Sequence, residues 1–274
     1  MQHVKTPPQP RVDKLPAERH ALILGILRDR GAVTIATLAE LLNASKSTVR
    51  RDLDDLNEHG YITRTHGGAV MHNVPAARFE PGEAIADETS RKQKLAIGAL
   101  APGQVKDGQC VILDSGSTAR AAALALAQSG LKLTVVTNDL RIATEMVDIE
   151  SIHAIVTGGT IRRNTSTLNG SPGLEFLASI HADVAFVGIH AIANGKCTET
   201  SLEVAAMKKA MLSAARRKVV LADSTKFSLP SFCEICSLGD VDEVITDDGI
   251  DPDVAKDVEA HGTDVSIAST QTTN

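Results

Sequence analysis

Along the first seventy residues, apolar positions recur at helical spacing and are broken twice by short polar turns. Ala17 to Arg30 sets Leu22, Ile23, Ile26 and Leu27 on one face, and Gly31 suits the positive φ at which a helix stops. Thr34 is placed to cap a second helix with an inward face of Ile35, Leu38, Ala39 and Leu42. It ends at Asn43, which tolerates the left-handed conformation. Ser45 caps a third, where Val49, Leu53 and Leu56 recur at i, i+4 and i+7 and form one buried stripe. Tyr61–Arg64 then reads as a short strand, and Thr65–Val70 as a turn with its return strand. The pattern predicts a flexible tail over 1–14 and a winged helix-turn-helix over 15–72.

From Met71 to Glu88 no period is sustained, and Pro75, Pro81 and Gly82 interrupt what order there is, so 73–88 is read as a linker. A helix from near Ser90 to about Leu100 opens a second domain, 89–274. There, apolar runs at Cys110–Leu113, Leu133–Thr137, Ile152–Val156, Val184–Ile189, Lys218–Ala222, Glu243–Ile245 and Asp264–Ile267 alternate with helical patterns. The helices are expected near Ala119–Ala127, Leu140–Met146, Gly173–Ile180, Leu202–Ala214 and Pro252–His261. Such alternation predicts an α/β domain built on an open, mainly parallel sheet, whose ligands bind outside the strand C-termini.

The third helix of the first domain has a second face. At about 100° per residue, Ser47, Arg51, Asp54 and Glu58 point away from the apolar stripe, with Thr48 and Arg50 on its flanks. The leading turns hold donors and the acids follow behind, which is the arrangement of a recognition helix whose N-terminal turns enter a major groove. Ser47 and Arg51 are expected at base edges, Arg50 and Thr48 at phosphates or mixed contacts, Lys46 at phosphate, and Arg64 and His66 in the basic wing. A solvated helical hairpin is the plainer alternative. The runs Leu38–Ser45 and Thr48–Leu53, with Gly60, Arg64 and His66-Gly67-Gly68-Ala69, resemble the N-terminal signature of the DeoR family of bacterial sugar-metabolism regulators. That resemblance implies a transcription repressor acting on double-stranded operator DNA.

Net charge of −6 changes little once it is divided. Residues 1–74 carry ten Lys/Arg against eight Asp/Glu, and the remainder eighteen against twenty-six, so the acidity belongs to the larger domain. Aromatic residues at 2% argue against single-strand or RNA binding by stacking. The N-terminus lacks the apolar run of a secretion signal, no apolar stretch is long enough to span a bilayer, and Cys110, Cys197, Cys233 and Cys236 lie in or beside apolar segments. A cytoplasmic protein without disulfides or membrane association is expected. The lone Cys233-Glu234-Ile235-Cys236 motif is short of the four ligands of a structural zinc site, so no metal or cofactor is expected.

Candidate ligand chemistry gathers at strand ends. Asp114-Ser115-Gly116-Ser117-Thr118 joins the first run to a helix, offering a glycine for close anion approach, three hydroxyls and free helix N–H groups. Thr137-Asn138 follows the second run, Gly158-Gly159 the third, and Asp223 to Lys226 the fifth. Singly, each reads as well as a cap, a turn or a solvated tail, and only the shared address favours binding. From Lys94 to Asp247 the chain also resembles the DeoR sensor domain, through Lys94, the Asp114–Thr118 loop, Thr137-Asn138, Gly158-Gly159, Lys208 and Asp223 to Phe227. That resemblance implies a fold similar to sugar-phosphate isomerases and an effector site for a phosphorylated sugar at Lys94, Asp114, Ser115, Gly116, Ser117, Thr118, Thr137, Asn138, Gly158, Gly159, Lys208 and Lys226. His190-Ala191 departs from the family's acid-and-glycine pairing after Gly188. The alternative is an isomerase-like enzyme, with Asp114 as base and Lys94 or Lys208 stabilising an enediolate. Paired recognition helices further imply a homo-oligomer, a dimer or tetramer.

Overall fold

Residues 14–71 and 82–271 are described in a computed structural model of the chain, and contacts divide it into two units, Met1–Asn73 and Val74–Asn274. In the first unit, α1 (Pro16–Arg30) ends where Gly31, at φ 72°, returns its N–H to the Leu27 carbonyl at 2.8 Å. A three-residue strand follows, β1 (Ala32–Thr34), then α2 (Ile35–Leu41), whose first turn is capped by Thr34. α3 (Lys46–Glu58) is capped by Ser45, and β2 (Ile62–Arg64) and β3 (Gly68–Met71) close the unit as an antiparallel hairpin. The sequence pattern misses β1, which pairs with β3 to make a sheet ordered β1-β3-β2. A Cβ on Gly68 would lie 2.0 Å from the Val33 carbonyl oxygen, so only glycine lets these two strands meet.

The core of this unit forms where the periodicity placed it, around Ile23, Leu27, Leu38, Val49, Leu53 and Leu56. Leu22 is an exception: it is exposed, and Leu24 takes its place inside. One charged residue is also buried. Asp52, on the flank of the α3 stripe, accepts hydrogen bonds from Arg19 Nε at 2.7 Å and Nη2 at 2.8 Å, and lies 3.3 Å from His20 Nε2, so an ionic clasp joins α1 to α3.

The second unit begins among the described residues with α4 (Glu83–Glu88), inside the segment the sequence reads as linker. After α5 (Arg91–Ala99) come β4 (Cys110–Leu113), α6 (Ser117–Gln128), β5 (Leu133–Thr137), α7 (Leu140–Met146) and β6 (Ile152–Val156). A small hairpin, β7 (Thr160–Ile161) with β8 (Leu168–Asn169), leads to α8 (Gly173–Ala178) and β9 (Ala182–Gly188). Then follow β10 (Ala191–Ala193), β11 (Lys196–Glu199), α9 (Leu202–Ala214), β12 (Ala215–Leu221), β13 (Cys233–Ser237), β14 (Glu243–Asp247), α10 (Pro252–Ala260) and β15 (Asp264–Ala268).

The seven apolar runs become the seven strands of one parallel sheet, ordered β15-β14-β12-β9-β4-β5-β6. Alternate residues serve opposite faces. Val111, Leu113, Val135 and Phe186 pack under α5, α6 and α7, whereas Ile112, Val136, Ala185 and Val187 pack under α8 and α9. Burying each such aliphatic or aromatic side chain contributes roughly 1.5–3 kcal/mol. The chain enters at β4, runs to the β6 edge, then returns to β9 on the other side of β4. The order therefore reverses between β4 and β9, where an open α/β sheet leaves a crevice at its carboxyl ends. Helices α5 and α6 cross with their backbones touching, since a Cβ on Gly98 would sit 2.4 Å from the Ala121 carbonyl carbon. The Cys233 and Cys236 thiols lie on β13 of a second, antiparallel sheet (β10-β11-β13), which the sequence reading misses because its strands are short and mixed in polarity.

Candidate functional site

Two surfaces carry the chemistry, one in each unit. On α3 the Ser45 hydroxyl accepts from the Thr48 N–H at 3.0 Å and lies 2.7 Å from Ser47 Oγ and 2.8 Å from Thr48 Oγ1, so the leading turn is stiffened by its own cap. Lys46, Ser47, Arg50 and Arg51 are exposed and Thr48 half-buried, while Val49 and Leu53 on the inward face are fully buried. His66 is exposed in the turn of the hairpin. Arg64 differs from the rest: its guanidinium pairs with Asp54 and donates to the Arg50 carbonyl at 3.2 Å, while its backbone N–H donates to Asn57 at 3.2 Å. It fastens β2 to the outer face of α3.

In the second unit the crevice between β4 and β9 is marked by Asp114, whose Oδ2 accepts the Gly188 N–H at 3.1 Å. Lys208, from α9, stands 3.5 Å from that oxygen and donates to Glu199 Oε2 at 2.5 Å. All three charged side chains are buried. Burial pushes the Asp114 carboxyl up to about 6 against the pull of Lys208; burial acts the same way on Glu199, but Lys208 wins there and holds it at about 2. Lys94 is buried as well, donates to the Ala86 carbonyl at 2.6 Å, and is pushed down to about 8 by burial and by the neighbouring charge of Lys226.

Helix α6 starts at Gly116 with no side-chain cap, so its first turn presents uncapped N–H groups beside Ser115, Ser117 and buried Thr118. The Gly116 N–H itself is turned away to Asp139 Oδ2 at 3.3 Å, which removes one of the donors expected of the loop. Asn138 is no helix cap; Asp139 caps α7, and Asn138 donates instead to the Leu168 carbonyl at 3.0 Å. Thr137 is fully buried, its hydroxyl accepting from the Asp139 N–H at 3.0 Å. Gly158-Gly159 belongs to the turn before β7, where a Cβ on Gly159 would lie 2.7 Å from the Asn169 carbonyl oxygen, so packing of the small hairpin accounts for it. Lys226 is half-buried at the end of a short 3-10 turn, Ser224–Lys226.

Among the described residues, Asp114 Oδ1, Asn138 Oδ1, Asn169 Oδ1 and Thr246 Oγ1 are buried without a hydrogen-bond partner. Unmet acceptors of this kind are rare in folded interiors and call for donors. The edge thus offers acceptors from Asp114 and Asn138, cations from Lys94 and Lys226, and an uncapped helix end. Such a set suits a molecule with several hydroxyls and one anionic group. Sequence reasoning misses Glu199, Arg120 and Arg141. The only hint for Arg120 is its standing as the sole charge in the small, apolar Ser117–Gln128 helix. The first unit has a cleft of about 360 Å³ beside β1 and β3 and the second a cleft of about 180 Å³ beside Phe227, while α4 lies over Lys94 at the sheet edge. Among the described residues no three His, Cys, Asp or Glu side chains are placed to hold a metal, and no helix is long and apolar enough to cross a membrane.

Comparison with known proteins places both surfaces in context. The family described as the DeoR-like helix-turn-helix domain matches residues 19–74, and that described as the DeoR C-terminal sensor domain matches residues 89–248. The HTH-type transcriptional repressor GlcR of Bacillus subtilis is 33% identical over 84% of this chain and 88% of its own. The uncharacterized HTH-type transcriptional regulator YgbI of Escherichia coli is 33% identical over 86% and 91%. Among solved structures, ribose 5-phosphate isomerase A of Methanocaldococcus jannaschii is similar at a TM-score of 0.39, with 19% identity over 51% of this chain and 56% of that one. A likeness of that size speaks to neither reaction nor ligand. With a reading head and a sensor domain matched in order along most of its length, this protein belongs to the DeoR family of transcriptional regulators.

Proposed function

We propose that the protein is a transcriptional repressor of a sugar catabolism or transport operon, released from operator DNA by a phosphorylated sugar bound at the sheet edge. Ser47 and Arg51 read base edges, Arg50 and Thr48 take phosphates or mixed contacts, Lys46 a phosphate, and His66 reaches from the wing. Arg64 acts by holding the wing against α3. The effector's phosphate is met by Lys94, Lys226 and the first turn of α6 with Ser115, Gly116, Ser117 and Thr118, and its hydroxyls by Asp114 and Asn138. Lys208 sets the charge of Asp114, while Thr137 and Gly158-Gly159 shape the site without touching the ligand. The protein works in the cytoplasm as a dimer or tetramer, pairing two recognition helices on two half-sites.

The observation that carries this reading is the pairing of unmet buried acceptors with buried cations at the switch point of the sheet. A polyol phosphate satisfies both sets at once. The same residues serve binding without turnover, and the names of the relatives are those of regulators. A ligand shifts the DNA equilibrium only as far as it prefers the state that binds DNA poorly. Titrating a panel of sugar phosphates against the full chain on the DNA upstream of its own gene tests this directly. One of them should displace the protein, and Asp114→Ala with Thr118→Ala should keep DNA binding yet lose the response. A double variant that still responds normally puts the pocket elsewhere, and turnover of a sugar phosphate would favour the enzyme reading.

A further inference from the structure

Helix α4 is an acidic segment laid across the leading ends of α6 and α7. Asp87 Oδ2 accepts from Arg141 Nη1 at 2.9 Å and from Arg120 Nη1 at 3.3 Å. Glu83 Oε2 lies 3.6 Å from Arg141 Nε, and its Oε1 accepts the Ser166 N–H at 2.6 Å. The Ala86 carbonyl takes Lys94. Three cations beside the strand ends are thus closed by one short stretch of chain. The closure is a light one. Asp87, Glu83, Arg120 and Arg141 side chains keep 24–32% of their exposure, and ion pairs so open to water hold only weakly. Arg141 is also incompletely satisfied, since its Nε is buried with no hydrogen-bond partner among the described residues. A guanidinium prefers an oxyanion that engages two of its N–H groups, and a phosphoryl group with more charge than a carboxylate is the stronger partner.

We propose that Arg120 and Arg141 form an anion-binding pair at the sheet edge, occupied at rest by the chain's own Asp87 and Glu83, and that a phosphoryl group displaces α4 from it. The proposal rests on the reading that a phosphorylated metabolite binds at this edge; it adds Arg120 and Arg141, in the first turns of α6 and α7, to the groups that meet the phosphate, and it says how binding is signalled. Arg120 keeps a second anchor, Glu145 Oε1 at 2.7 Å from its Nε, so the guanidinium stays in place when Asp87 leaves. Glu83 follows Met71, the last residue of β3, by twelve positions, so freeing α4 alters the attachment point of the chain that leads to the DNA-reading unit.

The test uses the full chain and inorganic phosphate as the probe. Phosphate should speed amide exchange at Ala86 and Thr89, whose N–H groups bond to the Gly82 and Ile85 carbonyls at 2.9 Å. In calorimetric titration, Glu83→Gln with Asp87→Asn should bind phosphate about tenfold more tightly than the native chain, because no internal carboxylate has to be displaced. Equal affinities, or bound phosphate that leaves the exchange of α4 unchanged, overturn the latch while the sheet-edge reading stands. If neither protein binds phosphate and no sugar phosphate moves the native chain off DNA, both readings fall. Should the double variant not fold, the exchange measurement on the native chain decides alone.

Discussion

The recognition helix and the sheet edge are both rich in cations, yet they treat them oppositely. On α3 the basic side chains and Ser47 stand in solvent, while an acid of the same helix, Asp52, is drawn inside, paired with Arg19 and in contact with His20. At the sheet edge Lys94 and Lys208 are buried and already answered from within the chain, by the Ala86 carbonyl and by Glu199 with Asp114. The difference follows from the partner each surface suits. A DNA duplex is a large, strongly charged rod whose condensed counterions are released favourably when cations meet its phosphates, so its protein contacts work best exposed. A small molecule must be enclosed to be told apart from others, so its contacts sit in low dielectric and need internal counter-charges until it arrives.

Breaking the buried side of this contrast should do the most damage. Lys208→Met leaves Glu199 and Asp114 as neighbouring buried carboxylates, and a loss of about 3–5 kcal/mol is expected in denaturant unfolding of the second unit. Asp52→Asn is the counterpart in the first unit, with a loss of about 2–3 kcal/mol expected because Arg19 loses its buried counter-charge. Burial alone would raise Asp52, but hydrogen bonds and charge from Arg19 and His20 hold it below its ordinary 3.8. Its stabilisation is therefore complete above that value and fades as pH falls through the lower, folded one. Acid unfolding followed by circular dichroism should begin at higher pH for Arg19→Gln than for the native chain.

The exposed side should respond in affinity and not in stability. Arg51→Ala is expected to weaken binding to the specific operator by about 1–3 kcal/mol in a gel-shift titration, with unfolding unchanged. Arg64→Ala sharpens the comparison at its weakest point. Because that guanidinium is spent on Asp54 and the Arg50 carbonyl, its removal should cost less than about 1 kcal/mol of DNA affinity, similarly for specific and random DNA. A base-specific loss would instead return Arg64 to the group that reads sequence.

Much of this architecture is legible in the sequence, for identifiable reasons. Parallel strands are covered on both faces, so β4 reads as an unbroken apolar run, Cys110–Leu113, and β5, β9 and β12 as strongly apolar ones over Leu133–Thr137, Val184–Val187 and Val219–Leu221. The strands that escape notice, β1, β7, β8, β10, β11 and β13, are two to five residues long, and in Lys196–Glu199 a charge begins and ends the strand. Asp114, Asn138 and Lys226 are singled out as candidates because each terminates or follows a legible run. Glu199 and Arg141 are not, because their meaning lies in partners elsewhere in the chain: Lys208 across a strand-to-helix turn, and Asp87 in a segment whose prolines and glycine disguise a helix. Local spacing reports which residues share a face. It does not report which charges are answered.

The contact at Gly98 carries one more consequence. At that one crossing no side chain separates the two helices, and a methyl group there would have to push α5 off α6. Gly98 thereby seats α5, which carries Lys94, directly on α6, which carries the Ser117–Thr118 end of the candidate loop, and a bulkier residue there would part the two.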